Sequence, residues 1–175
     1  MTETTGTNPV VRLETTMGPI KAELWPDKAP ITVANFLTYV KEGFYDGLIF
    51  HRATPMFMVQ TGGFEPGMVY RPPTHPPIDN EAANGEKNKR GTLAMARAFP
   101  IKSAAAQFFI NLVDNPKLDH KGPEPQNYGY AVFGQVIEGM GTVERMTTVK
   151  LTVRENHKDV PLEDIKLIRA IVEQE

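Results

Sequence analysis

The chain contains no cysteine, which excludes a disulfide framework, a thiolate nucleophile and a cysteine-ligated zinc site. Ser103 is its single serine, and no G-x-S-x-G elbow surrounds it, so a serine hydrolase has nothing to build on. The histidines, His51, His75, His120 and His157, share no i, i+4 spacing, and no H-E-x-x-H occurs. They read as four unrelated surface or loop residues, and no metal is expected. Neither a P-loop nor a G-x-G-x-x-G after a strand is present, so a nucleotide cofactor is not expected either. No carboxylate pair stands in an apolar setting, as a glycosidase would need. No stretch approaches the ~18 apolar residues of a membrane span. The opening MTETTGTNPV has neither a basic nor an apolar leader region, and the expected location is the cytoplasm. Lys and Arg number 19 against 21 Asp and Glu, a net charge of -2. That balance lacks the basic surplus of a nucleic-acid binder.

What is present is an ordinary globular composition, 41% hydrophobic and 23% charged over 175 residues. Such a chain can bury one sizeable core. Residues 1–8 read as a flexible tail and 9–175 as a single domain, expected to be a monomer. VVRLETT and PIKAELW are β-type runs flanking Met17-Gly18-Pro19, a hairpin with Gly18 in the turn. In DKAPITVANFLTYVKEGFY the apolar residues Val33, Phe36, Leu37 and Val40 fall at i, i+3, i+4 and i+7, one face of a helix. Pro30 suits its first turn and Gly43 its stop. Further short apolar runs, LIFHR, FMVQTGG, GTLAMA, QFFINL, YAVFGQVI and EDIKLIRAIV, read as strands. A second short helix is expected around Gly141 to Thr147. The Pro-, Gly- and Asn-rich passage from Gly62 to Gly91 reads mostly as loop. About eight strands with two helices suggest a closed or nearly closed antiparallel barrel, with an open α+β sheet as the alternative.

One stretch stands apart. FHRATPMFMVQTGG sets Arg52 among apolar residues, with Phe57, Met58 and Gln60 close behind. Gln107 and Asn111 are similarly isolated among the phenylalanines of QFFINL. Strand alternation puts Phe108 and Phe109 on opposite faces, so one can fill a core while the other lines an outer groove. The plainer reading makes all these aromatics barrel core and sends the polar residues to solvent.

Taken together, these segments resemble the cyclophilin family of peptidyl-prolyl cis-trans isomerases. FHRATPMFMVQTGGF is similar to the family's first signature, GTLAMARAFPIKSAAAQFFINLVDNPKLD to its second block, and YAVFGQVIEGMGTVERM to its third. The likeness runs from about Val10 to the C-terminus, and PPIDNEAANGEKNKRGTLAMAR is most like bacterial members. The resemblance implies a closed eight-stranded antiparallel β-barrel with a helix closing each end. It implies a cofactor-free enzyme acting on X-Pro bonds in peptides and in unfolded or flexible proteins. A proline-peptide binding or chaperone module without turnover is the rival, and a metal-dependent hydrolase a distant third.

Residue by residue, the resemblance gives Arg52 the position of the catalytic arginine. Phe57, Met58, Phe109 and Leu118 match the pocket for the proline ring, and Gln60 and Gln107 the polar residues beside the arginine. Ala96, Arg97 and Ala98 match a segment whose backbone hydrogen-bonds the residues before the proline. Three positions depart from the common pattern: Arg97 often Asn, Lys117 commonly Trp, and Tyr130 a pocket-lining His in many members. Without an indole at 117, weak cyclosporin binding is expected.

Overall fold

The computed structural model describes residues 7–175, so residues 1–6 of the expected tail lie outside it. Asn8 is already tied to the sheet, its backbone carbonyl accepting from the Gln174 side chain at 3.1 Å. Strands run Val10–Thr15 (β1), Gly18–Leu24 (β2), Leu48–Ile49 (β3), Arg52–Thr54 (β4), Met58–Thr61 (β5), Phe64–Glu65 (β6), Val69–Tyr70 (β7), Thr92–Met95 (β8), Phe108–Asn111 (β9), Val132–Glu138 (β10), Leu151–Arg154 (β11), His157–Pro161 (β12) and Lys166–Gln174 (β13). Two helices, Pro30–Lys41 (α1) and Met140–Met146 (α2), lie where the sequence puts them. None of the helices is long and apolar enough to cross a membrane among the described residues.

Nine strands pair into one antiparallel sheet, in the order β3-β13-β1-β2-β10-β8-β9-β5-β4. The fold is mainly β, as expected, but the ladder is a curled nine-stranded sheet with two edges, not a closed eight-stranded ring. The edge strands β3 and β4 are consecutive in the chain, separated only by Phe50 and His51. Both of those residues are buried. Two small hairpins, β6-β7 and β11-β12, stand outside the main sheet.

The period-2 alternation of a strand sorts side chains between two faces. Leu93 and Met95 of β8, Phe108 and Ile110 of β9, and Val59 of β5 enter the main core. There Phe108 meets Phe36 of α1 edge-on at 5.0 Å, and Phe36 also packs on Phe133 at 5.1 Å. Such pairs add about 0.5–1.5 kcal/mol beyond the area they bury. The helix buries Thr32 and Tyr39 as well as its four-residue apolar face. Its N-terminus has no local side-chain cap. Instead Glu81, from the long loop, accepts from the Thr32 N–H at 2.6 Å and the Thr32 hydroxyl at 2.7 Å. A carboxylate there satisfies orphan donors and complements the helix dipole. The loop is thus pinned to the fold at the helix it caps.

Candidate active site

The same alternation builds the site on the outer face of four adjoining strands. Arg52 on β4 lies opposite Gln60 on β5, Gln60 opposite Phe109 on β9, and Phe109 opposite Ala94 on β8. That row points away from the main core. Met58, Ala94, Phe109 and Val132 form a second, smaller buried cluster there, with Phe57, Leu118 and Tyr130 packed against it. The expectation that Phe108 and Phe109 divide between core and groove therefore holds. Phe108 is sealed in the core, and Phe109, though only 4% exposed, belongs to the outer cluster.

A cup of about 210 Å³ opens on this face. Phe57, Met58, Phe109, Leu118 and Tyr130 supply its apolar wall, and Arg52, Gln60, Ala96 and Arg97 its rim. Nine of the eleven residues singled out from the sequence meet here. The other two, Ala98 and Gln107, line an adjoining groove of about 310 Å³ that shares Gln60, Ala96 and Arg97 with the cup. The Gln60 amide donates to the Gln107 side-chain oxygen at 2.9 Å, joining the two spaces. Gly63 makes room for this pair: a Cβ there would collide with the Gln107 amide.

Arg52 is exposed, and its guanidinium carbon lies 5.6 Å from the centre of the Phe57 ring. The Lys117 ammonium lies closer to that ring, at 4.3 Å. Phe57 thus carries two cations, each within cation–π reach. Arg97 is held differently. Its side chain donates to the Phe99 and Pro100 carbonyls at 3.1 and 3.2 Å, reaches the Pro125 carbonyl across the groove, and stacks on Tyr130 at 5.4 Å. Its own backbone N–H and C=O have no partner among the described residues.

Sequence reading missed what supports the cup. Asn111 does not face solvent; it is fully buried. Its amide donates to the Asn88 side-chain oxygen at 3.1 Å and to the Thr92 hydroxyl at 2.9 Å, and its oxygen accepts from Asn115 at 2.8 Å. Asn115 also donates to the Phe57 carbonyl at 3.0 Å, and Asn88 to the Leu118 carbonyl at 3.2 Å. A buried, mutually satisfied amide network therefore fixes the backbone behind two walls of the cup. Its one sequence signal is the cluster of asparagines at 88, 111 and 115.

The histidines also need correcting. His51 is buried, not superficial, with its ring 4.6 Å from Phe64 and 5.9 Å from His157. Its Nδ1 is buried without a partner. Burial, with His157 and Arg52 nearby, lowers its pKa to about 4. Among the described residues no group of three or more His, Asp or Glu side chains is arranged to hold a metal ion.

Residues 10–172 match the family model described as cyclophilin type peptidyl-prolyl cis-trans isomerase/CLD. The chain is 51% identical to peptidyl-prolyl cis-trans isomerase B of Escherichia coli over 156 residues, covering 89% of this chain and 94% of that protein. It is 47% identical to the peptidyl-prolyl cis-trans isomerase of Acinetobacter baylyi over 161 residues, 92% of this chain and 84% of that one. A Cryptosporidium parvum cyclophilin-type isomerase, crystallised in the presence of the dipeptide Ala-Pro, superposes with a TM-score of 0.75 at 27% identity, over 95% of this chain and 99% of that one. With sequence identity, fold and the outer-face cup in agreement, the chain belongs to the cyclophilin family of peptidyl-prolyl cis-trans isomerases.

Proposed function

We propose that this chain catalyses cis-trans isomerisation of X-Pro peptide bonds in peptides and in unfolded or flexible proteins, with Arg52 as its catalytic residue. The observation that carries the assignment is the exposed guanidinium of Arg52 at the rim of an apolar cup of about 210 Å³. Rotation about a peptide bond costs ~18–20 kcal/mol because resonance stiffens the C–N bond. In the twisted transition state that resonance is lost, and the prolyl nitrogen becomes pyramidal with a localised lone pair. A donor aimed at that lone pair binds the twisted form better than either planar form, which is what lowers the barrier. Arginine is always protonated and presents a rigid fork of N–H groups. Phe57, Met58, Phe109, Leu118 and Tyr130 grip the proline ring, and Gln60 and Gln107 hold the polar side of the groove. The free N–H and C=O of Arg97, between Ala96 and Ala98, suit the backbone of the residues preceding the proline. No bond is broken, so the reaction calls for no nucleophile, metal or cofactor.

A protease-coupled assay on a short X-Pro peptide tests this reading. Acceleration that saturates with substrate is expected. Binding without acceleration would turn the chain into a proline-peptide binding module.

The finer architecture proposed is an eight-stranded barrel, with β3 and β4 taken as one bent strand that closes the ring through Phe50 and His51. The domain proposed spans residues 9–175 and works as a cytoplasmic monomer, which gel filtration and cell fractionation check.

Cyclosporin is expected to bind weakly. The Lys117 ammonium occupies the face of Phe57 that a bound apolar ligand would share. An indole there would offer a flat apolar surface and one N–H donor. Lys117→Trp should raise cyclosporin affinity on the order of a hundredfold, ~2–3 kcal/mol, read by titrating the drug into the isomerase assay of both proteins. Tight inhibition of the unmodified chain would defeat this expectation.

A further inference from the structure

Beyond Tyr130 the cup continues into a third space, a groove of about 360 Å³. Three of its lining side chains are cationic, Arg97, Lys117 and Lys121, against one carboxylate, Asp119. Asp119 is turned inward: one of its oxygens accepts from the Asn88 backbone N–H at 2.7 Å and from the Asn88 amide at 3.2 Å. Glu124, in the same loop, accepts from Asn127 at 3.2 Å and does not line the groove. Elsewhere nine of the Lys and Arg side chains have carboxylate partners, as in Lys102 with Asp79 and Arg71 with Glu65, and the others that have none among the described residues, such as Lys87, Lys150 and Lys166, do not line this groove or the cup. Among the described residues, no ion pair includes Arg52, Arg97, Lys117 or Lys121.

A chain of net charge -2 thus gathers four unpaired cations around one groove and its adjoining cup. Walls with a surplus of one sign focus the field into the space between them and raise the local concentration of the opposite charge. The geometry points to a substrate-selecting rim: polypeptide segments with a carboxylate side chain within about two residues of the proline are preferred over neutral ones. Lys117 and Lys121 take the carboxylate, and Arg97, clamped by backbone carbonyls on both sides of the groove and stacked on Tyr130, contributes a fixed charge. Consecutive residues of an extended peptide advance ~3.3–3.6 Å, so a proline seated in the cup brings its near neighbours over this groove. The inference rests on the proposed reading of the cup as the proline site. Each exposed pair is individually weak, so the three cations together should give about a three- to tenfold preference.

The test uses N-acetylated, C-terminally amidated pentapeptides carrying Glu, Gln or Lys at each of the two positions on either side of the proline. Cis-trans exchange is followed by NMR, and binding of fluorescently labelled versions by anisotropy. At about 10 mM salt, kcat/KM or affinity should rank Glu above Gln above Lys at one or more positions. The Glu-to-Gln ratio should fall toward one at about 1 M salt, where the Debye length shrinks to ~3 Å. It should also fall in the Lys117→Gln/Lys121→Gln double variant, and Lys121→Glu should move the preference toward Lys peptides. A ratio within about twofold of one at every position overturns the proposal, as does a preference indifferent to salt and to both substitutions. If the Gln peptides bind but do not turn over, the isomerase reading fails, and the binding ranks still decide the charge preference.

Discussion

The proposed donor, Arg52, stands at the surface because the strand pleat isolates it from the core. Its neighbour Ala53 is completely buried while Arg52 itself is exposed, so the cation projects over the cup without a desolvation penalty on folding. Arg52→Ala should therefore lower kcat/KM about 10²–10³-fold, the usual loss when one transition-state donor is removed, with far-UV circular dichroism and Tm nearly unchanged. Arg52→Lys should recover little, for want of the fork. Near-normal turnover in Arg52→Ala would reassign the donor. Phe109 presents a different case. It is buried in the outer cluster and meets Tyr130 edge-on at 5.7 Å, so it serves packing and ligand contact together. Phe109→Ala should cost ~3–5 kcal/mol of stability and also raise KM for a proline peptide in the molecules that remain folded. Chemical denaturation and steady-state kinetics separate the two effects. A fall in stability with unchanged KM would confine Phe109 to packing.

Among the elements, α1 was legible because its apolar residues repeat at i, i+3, i+4 and i+7, and the central strands because short apolar runs end at turn residues. The β11-β12 hairpin was not. Its strands leave Val153 64% exposed and Lys158 in solvent, so it lacks an apolar rhythm. It is made instead by its turn, where Glu155 and Asn156 both adopt positive φ, 49° and 65°. That is the backbone of a tight two-residue hairpin, for which Asn is favoured but Glu gives no signal. The asparagine network was hidden for another reason. Asn88, Asn111 and Asn115 meet only once β8, β9 and the turn before Leu118 have docked. Asn111→Leu strands the Asn88 and Asn115 groups it now satisfies, each at ~1–3 kcal/mol. A loss of ~2–4 kcal/mol and a Tm lower by roughly 5–15 °C are expected, with a higher KM as the backbone behind Phe57 and Leu118 loosens. A thermal melt unchanged to within a degree would show that the network contributes nothing net.

At the scale of the molecule, sequence patterning located the faces of the sheet and the family resemblance named the residues of the cup, while charge distribution around it needed the fold. Lys117, Lys121 and Arg97 are scattered through the chain with acids between them, and a net charge near zero conceals that one face keeps its cations unpaired. Global stability shows the same dependence on placement, through His51. In the unfolded chain this histidine titrates near its ordinary 6.5; in the fold, burial, with His157 and Arg52 nearby, lowers its pKa to about 4. Between those values the unfolded state binds more protons, so stability rises with pH there and is lost as the solution is acidified. His51 should thus favour the fold fully above about pH 6.5 and progressively less down to about pH 4, by on the order of 3 kcal/mol in total. Glu14, whose pKa is lowered from 4.5 chiefly by its hydrogen bond to Arg169, begins to add its own loss as the pH falls through 4.5, so only the part of the His51 window above that value is free of it. Urea unfolding measured at half-unit intervals across the range from about pH 6.5 to pH 5, above the onset of Glu14 titration, should show the slope, and His51→Gln, which cannot titrate, should flatten it. A slope that survives the substitution would place the responsible proton elsewhere.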